Sequence, residues 1–290
     1  MASMRDIKRR KVSIQSTQQI TKAMKLVSTV RLQRAKNRAE RSKAYFDAMY
    51  KTVSSILSKS KNATHPYLVD NGSSKKAVIV ITSNRGLAGG YNSNVVKLIT
   101  RDEATADWKK EDVSIYAIGN KGKDAFKRYG YHIMAQEPEM IEEPLYSDAQ
   151  QVSAQLLEKY EKGEIGEIYV AYTEFKNTVT HIPTLIKVLP VDRQDGGEAE
   201  EKAAAAPMNY EPTEDEALAL IIPKYVTSII YGAMTQAAAS ENGARMQAMD
   251  SATSNAEEMI QNLELLYNRA RQGSITQELT EIIAGSDAIS

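Results

Sequence analysis

The chain has 290 residues and no net charge, because 37 Lys and Arg residues balance 37 Asp and Glu residues. It contains no cysteine, which excludes disulfides and thiolate chemistry, and its three histidines, His65, His132 and His181, lack the spacing of metal ligands. A hydrophobic content of 42% is enough for a core, and no apolar stretch approaches the roughly 20 residues that span a bilayer.

The first predicted element is one helix over residues 3–57. No Pro or Gly occurs before Pro66, and Ser3 is placed to cap the first turn. At about 1.5 Å per residue this helix would reach roughly 80 Å, a length that one globule could not bury. Its second half carries a coiled-coil seam with steps of three and four: Leu32, Ala35, Ala39, Ser42, Phe46, Met49, Val53 and Ile56.

The centre of the chain changes to the pattern of an α/β domain. Residues 77–82 form a β-branched run typical of a strand buried on both faces, and residues 113–118 predict a second strand. Further elements follow in order: a helix over 121–129, a capping box at Ser147–Gln150 that opens a helix to about Tyr160, and a hairpin-like pair over 167–175 and 182–191. This alternation predicts a Rossmann-like domain with a mostly parallel sheet.

A glycine-containing loop, Thr82–Asn92, follows the first predicted strand and precedes a helix. Such a position suits a phosphate-binding loop. However, the loop lacks Gly-Lys-Ser/Thr, and its glycines do not match the dinucleotide fingerprint. We therefore interpret the glycines as residues of a tight strand-to-helix turn.

The last predicted element is a long helix over residues 213–287, opened by a capping box at Thr213–Glu216. It follows a polar, low-complexity and mobile loop over Asp192–Pro207. Pro223 should kink or interrupt this helix, since its ring removes a hydrogen-bond donor. The helix carries a second seam with steps of three and four: Met249, Ala252, Ala256, Met259, Leu263, Leu266 and Ala270.

The predicted domains are an N-terminal shaft helix (1–60), an α/β globular domain (75–192), a mobile loop with a return strand (193–212) and a C-terminal shaft helix (213–287). Residues 1–43 hold 13 basic residues against Asp6 and Glu40, a net charge of +11, whereas residues 213–290 hold four against 11 acidic ones, a net charge of −7. Opposite charge favours pairing of the two helices. The predicted fold is an α/β domain plus a long antiparallel α-helical coiled coil.

The chain closely resembles the gamma subunits of F-type ATP synthases of the bacterial type. The resemblance extends over almost the whole chain, and it rests on motifs at both ends and in the centre: Ile7–Arg10, Ser16–Ser28, Thr82–Asn92, Ser240–Met249, Tyr267–Gln272 and Ile275–Ile282. Three positions depart from the family pattern. Asn84 and Ala88 replace an acid and a thiol, and Asn242 replaces a histidine.

The resemblance implies a non-catalytic rotor subunit. The terminal helices would stand inside a hexamer of three alpha and three beta subunits, with the α/β domain against the epsilon subunit and the membrane ring of c subunits, and with the delta subunit in the same complex. Proton-driven turning of the ring would drive the beta subunits through ATP synthesis, and hydrolysis would reverse it. The resemblance implies no cofactor on this chain, with nucleotide and magnesium on the alpha and beta subunits, and a peripheral location at the cytoplasmic face of the bacterial cell membrane.

By position within the matching motifs, five residues are implied to contact the beta subunits: Met24, Arg245, Gln272, Thr276 and Glu278. Tyr210 and Glu211 are implied to lie near the c-ring and epsilon subunit. For Met24, plain packing in the seam is an equally good interpretation.

Two other functions remain open at this stage. A nucleotide-dependent enzyme would need a phosphate loop and a base or metal site, and the sequence suggests neither. A coiled-coil nucleic-acid-binding adaptor would use the basic first helix, although few aromatic residues are interleaved there.

Overall fold

The computed structural model describes residues 4–59, 66–69, 71–191 and 214–287. Five α-helices are present in these ranges: α1 (Met4–Lys59), α2 (Tyr91–Thr100), α3 (Asn120–Tyr129), α4 (Tyr146–Glu161) and α5 (Glu214–Asp287). Five strands are present: β1 (Lys76–Ile81), β2 (Val113–Ile118), β3 (His132–Gln136), β4 (Glu167–Phe175) and β5 (His181–Leu189). Short 3₁₀ helices occur at Glu103–Thr105, Lys110–Asp112 and Glu139–Ile141.

The strands form one mixed sheet in the order β3-β2-β1-β4-β5. The β1–β2, β1–β4 and β2–β3 pairs are parallel, whereas β4 and β5 form an antiparallel pair. The predicted mostly parallel sheet and the terminal pair of strands are therefore confirmed. Strand β3 was missed because its residues are only half-buried or exposed, so they lack the apolar run of an internal strand.

Strand β1 is buried on both faces, as its β-branched run predicts, and every residue from Ala77 to Ile81 is inaccessible to solvent. Alternate side chains enter two different cores. Val78 and Val80 pack with α2 and α3, and Ile79 and Ile81 pack with α4 and α5. This arrangement places α2 and α3 side by side on one face of the sheet.

Helix α4 begins two residues earlier than the predicted capping box allows. Leu145 is the residue before its first turn, and the backbone N–H of Leu145 donates to Asp148 Oδ2 at 3.1 Å. The predicted box at Ser147–Gln150 is therefore wrong. Asp148 closes the turn from the third helical position instead, where its carboxylate also meets the positive end of the helix.

Helix α5 continues through Pro223, so the predicted interruption is wrong. Proline in a helix interior costs about 3 kcal/mol. Burial on both sides of the proline offsets that cost, because Leu218, Ile222 and Val226 are all inaccessible to solvent. These residues recur every four positions and continue into a buried stripe with Ile230 and Met234.

The same helix is long and apolar enough to cross a membrane by length and composition, which corrects the expectation that no segment qualifies. Half of its most apolar window is buried inside the protein. Packing of Leu218, Ile222, Val226 and Ile230 in the core accounts for that composition.

The chain divides into two compact units: residues 1–28 with 245–290, termed here the paired-helix unit, and residues 29–244, termed the sheet unit. Within the sheet unit, the predicted α1 seam is buried at Leu32 and Val53 and half-buried at Ala35, Ala39 and Met49. The side chains of Ser42, Phe46 and Ile56 lie outside the described part of the structure. So do Ser3, Thr213 and the Asp192–Pro207 loop.

Candidate functional site

The paired-helix unit joins the first part of α1 to the last part of α5 in antiparallel order. Lys11 Nζ pairs with Glu264 Oε1 at 2.7 Å, and Lys25 Nζ pairs with Asp250 Oδ1 at 2.6 Å. The residue numbers rise on one helix as they fall on the other. The predicted antiparallel pairing of a basic helix with an acidic one is therefore confirmed.

The buried stripe of α1 in this unit is more polar than a usual coiled-coil seam. Ile7, Thr21 and Ser28 are buried, and Ile14 and Gln18 are half-buried. The Thr21 and Thr253 hydroxyls hydrogen-bond across the two helices at 2.8 Å. The predicted α1 seam starts at Leu32, whereas buried residues occur on α1 as far towards the N-terminus as Ile7. The sequence pattern did not indicate these positions because several of their side chains are small and polar.

The α5 stripe also differs from the predicted one. Met249, Ala256 and Leu263 are buried as predicted, but Met259 and Leu266 are 43% and 50% exposed. Ile260 and Tyr267, each one position further along, are half-buried in their place, and Ala252 stays half-buried beside Thr253. A helix has two candidate seams one residue apart, and the facing helix decides which one is buried.

Large apolar side chains on α1 point away from its partner helix. Val12, Ile20, Leu26 and Val27 are each more than half exposed, while Thr21 and Ser28 are buried between the helices. In a helix pair that is stable alone, large apolar side chains lie between the helices and small polar ones face solvent, so the placement here is reversed. Exposed apolar surface of this kind marks an interaction surface.

The structure places Met24 and Arg245 in the paired-helix unit, where both are half-buried. The Met24 carbonyl accepts a hydrogen bond from Ser28 Oγ at 2.8 Å. By the register of the ion pairs, each residue lies within about two turns of the Lys25–Asp250 pair. These two predicted contact residues are therefore neighbours along the unit.

The other three predicted contact residues lie further along α5, on the segment 271–286 that extends past the first described residue of α1. This segment is termed here the α5 overhang, and it holds Gln272, Thr276 and Glu278. Continuing the register from the Lys11–Glu264 pair places Met4, the first described residue of α1, opposite about residue 271. Every residue from Arg271 to Ser286 is exposed. The overhang carries four large apolar side chains that are 49–68% exposed: Ile275, Leu279, Ile282 and Ile283.

The structure does not bring the two groups together. About 27 residues separate Arg245 from Gln272, which corresponds to roughly 40 Å of helix. Tyr210 and Glu211, the residues implied to lie near the c-ring, fall outside the described residues.

Polar groups of the Thr82–Asn92 loop form hydrogen bonds within the protein. The Ser83 backbone N–H donates to Asn92 Oδ1 at 2.9 Å, and Asn84 Nδ2 donates to the Pro138 carbonyl at 2.6 Å. Gly119 approaches the Thr82 carbonyl so closely, with φ at +99°, that no side chain fits there. This geometry supports the interpretation of the loop as a structural turn.

Among the described residues, no group of three or more His, Asp or Glu side chains is arranged to hold a metal ion.

Comparison with known proteins identifies the family. A family model described as ATP synthase matches residues 3–289. The chain is 62% identical over 294 residues to the ATP synthase gamma chain of Lachnoclostridium phytofermentans, with all of both chains covered. This chain belongs to the ATP synthase gamma family. Gamma chains form the central stalk of the F-type ATP synthase, and the chain is accordingly a component of that enzyme complex.

A second gamma relative is named for a specific ion. The sodium-ion-specific gamma chain of Acetobacterium woodii is 40% identical over 302 residues, with 99% of both chains covered.

Solved structures confirm the gamma fold. The Euglena gracilis mitochondrial ATP synthase, in an assembly of OSCP, F1 and c-ring, contains a chain matching with a TM-score of 0.70 at 18% identity, with 99% of this chain and 94% of that chain covered. The central stalk and c-ring structure from Tetrahymena thermophila matches with a TM-score of 0.59 at 21% identity, covering 80% of this chain and 99% of that chain. No comparison supports the nucleic-acid adaptor.

Proposed function

We propose that this chain is the non-catalytic rotor of a bacterial ATP synthase, turning within three alpha and three beta subunits. Rotation driven by ions crossing a membrane c-ring would change the nucleotide sites on the beta subunits in sequence. The observation that carries this proposal is the α5 overhang, where residues 271–286 are exposed and carry four large apolar side chains. A single helix of this length is marginal in water, so it needs a surrounding surface.

The proposed partners follow from the two units. The paired-helix unit contacts the beta subunits through Met24, Arg245, Gln272, Thr276 and Glu278. The positive charge of α1 suits an acidic surface on those subunits. The sheet unit, with Tyr210 and Glu211, contacts the epsilon subunit and the c-ring, and the delta subunit belongs to the same complex.

The proposal also covers location and ion. The chain would be peripheral at the cytoplasmic face of the bacterial cell membrane, bind no cofactor of its own and leave nucleotide and magnesium to the alpha and beta subunits. We propose protons as the coupling ion.

Reconstitution tests the rotor function. The chain is combined with purified alpha and beta subunits and a bead is fixed to the sheet unit. Rotation is then followed during MgATP hydrolysis. Rotation in thirds of a turn supports the proposal. A stable complex that hydrolyses ATP without rotating the bead would contradict it, and so would failure to form any complex.

A further inference from the structure

A groove of about 480 Å³ runs between α2 and α3 on one face of the sheet unit. Both helices follow strands of the parallel part of the sheet, so they run side by side in the same direction. Each has 10 residues, which makes the groove about 15 Å long.

Four exposed cations line the groove: Lys97, Arg101, Lys121 and Arg128. None of the side chains lining it is acidic. Within the described part of the chain, none of the four cations forms an ion pair. Two acids near these cations in the sequence have other partners: Asp124 lies 3.8 Å from Lys123, and Asp102 accepts from the Ala104 backbone N–H at 3.0 Å.

The cations lie at both ends of the groove. Lys121 lies in the first turn of α3, whereas Lys97 lies in the last turn of α2, Arg101 directly follows α2, and Arg128 lies in the last turn of α3. Val96 and Ala125 contribute apolar surface between them. A compact phosphate would meet only part of this array, whereas an extended segment of about five residues covers 15 Å.

We propose that the α2–α3 groove binds an acidic segment of a partner protein, with carboxylates on the four cations and an apolar side chain over Val96 and Ala125. Exposed cations that form no ion pair within the described part of the chain keep their charge available for such a segment, and they raise its rate of association. This site is separate from the paired-helix unit and does not depend on the proposed rotor function.

The test uses the full chain and a fluorescein-labelled peptide with one leucine between two pairs of glutamates. Fluorescence anisotropy at low salt should show saturable binding that weakens as salt is added. The glutamine version of the peptide should not bind. Absence of saturable binding by the glutamate peptide would overturn the proposal.

Two variants locate the site. Lys97→Glu with Arg128→Glu should weaken binding at least about tenfold. Ala125→Phe should weaken it to a similar degree without changing the charge, because the new ring fills the groove. The matched control reverses two exposed lysines outside the groove, Lys75→Glu with Lys109→Glu, and should retain binding within about twofold. Equal loss in the control, or full binding by Ala125→Phe, would show a general charge effect and refute the site.

Competition distinguishes other anions. Tripolyphosphate and a single-stranded DNA oligonucleotide are titrated against the bound peptide. Weaker binding of both than of the peptide supports a protein partner. Tighter binding of either, lost in the Lys97→Glu and Arg128→Glu variant, would make the groove a phosphate site and overturn the proposal.

Discussion

The ring of His181 occupies the space that a side chain at position 243 would need. A Cβ atom built on Gly243 would lie 2.6 Å from His181 Nε2, a separation that real Cβ atoms do not show. His181 begins β5, and Gly243 lies within α5, so the contact joins the edge of the sheet to the long helix. Burial lowers the pKa of His181, which keeps the ring neutral near pH 7.

Gly243→Ala should therefore destabilise the sheet unit. Alanine favours a helix over glycine by about 1 kcal/mol, but overpacking against the imidazole costs about 1–3 kcal/mol. We expect a lower urea midpoint, measured by circular dichroism on the full chain.

Gly273→Ala is the matched control, because nothing lies within 4 Å of a Cβ at that helical position. It should be neutral or slightly stabilising. Adding His181→Ala to Gly243→Ala should recover part of the loss. A gain in midpoint for Gly243→Ala equal to that of Gly273→Ala would disprove the clash.

The hydrogen bond between Thr21 and Thr253 makes a second prediction. Thr21→Val leaves the Thr253 hydroxyl without its partner across the helices and should cost about 0.5–1.5 kcal/mol. The double variant Thr21→Val with Thr253→Val should recover stability, since two apolar side chains of similar shape then meet. Native-state hydrogen exchange of the α1 amides measures the local opening free energy.

Additive losses in the double variant would contradict the pairing. Thr17→Val serves as a control, because the exposed Thr17 hydroxyl donates to the Ser13 carbonyl of its own helix at 3.1 Å and has no other bond among the described residues.

The ion pairs of Glu167 with Lys76 and Lys187 predict that the stability of the sheet unit depends on pH. Burial alone would raise the pKa of its carboxyl, but hydrogen bonds from Lys187 and Lys76, together with their charges, bring it below its usual value. A carboxyl with a lowered folded-state pKa stabilises the protein above its unfolded pKa of about 4.3, and this stabilisation disappears as the pH falls through the folded value.

Glu167→Gln should accordingly lower the free energy of unfolding by about 1 kcal/mol at pH 7. It should lower that free energy by less at a pH below about 4. Urea titrations at both pH values measure the difference. Glu158→Gln, which removes the exposed pair with Lys162, is the control and should show little dependence of this kind. A Glu167→Gln effect that is the same at both pH values would refute the ionic contribution.

Gln272→Ala with Thr276→Ala tests the proposed contact with the beta subunits. Both side chains are exposed, and Thr276 Oγ bonds only within its own helix, to the Gln272 carbonyl at 2.9 Å. The isolated chain should therefore keep its stability within about 0.5 kcal/mol. In the reconstituted complex we expect weaker assembly or lower coupled ATPase activity.

Ser274→Ala with Gln277→Ala is the matched control for these two residues, because its side chains have similar chemistry and lie about 100–160° around the helix from Gln272 and Thr276. It should reduce activity less. Unchanged coupled activity in the Gln272 and Thr276 variant would refute these contact residues.

Local patterns were sufficient for several elements. The β-branched runs predicted β1 and β2, because a strand buried on both faces must be apolar throughout. Gly130, at φ +79°, ends α3 directly after the helix predicted over 121–129, since glycine adopts that conformation without strain. The motifs at both ends and in the centre carried the family resemblance, which the comparisons confirmed.

Other features depended on long-range packing. Pro223 stays within a helix because its neighbours are buried. The α5 seam shifts from Met259 and Leu266 to Ile260 and Tyr267 because α1 selects one of two adjacent stripes. Lys97 and Arg128 line the same groove because β1 and β2 are parallel neighbours, which places α2 beside α3.

The sequence by itself therefore determined most of the elements, except β3, and the family, since local sterics, periodicity and motifs are properties of neighbouring residues. Tertiary structure alone decided which stripe of each helix is buried, which apolar residues remain exposed and which distant cations share a groove. Those outcomes depend on contacts between residues far apart in the chain, whose energies no local pattern contains.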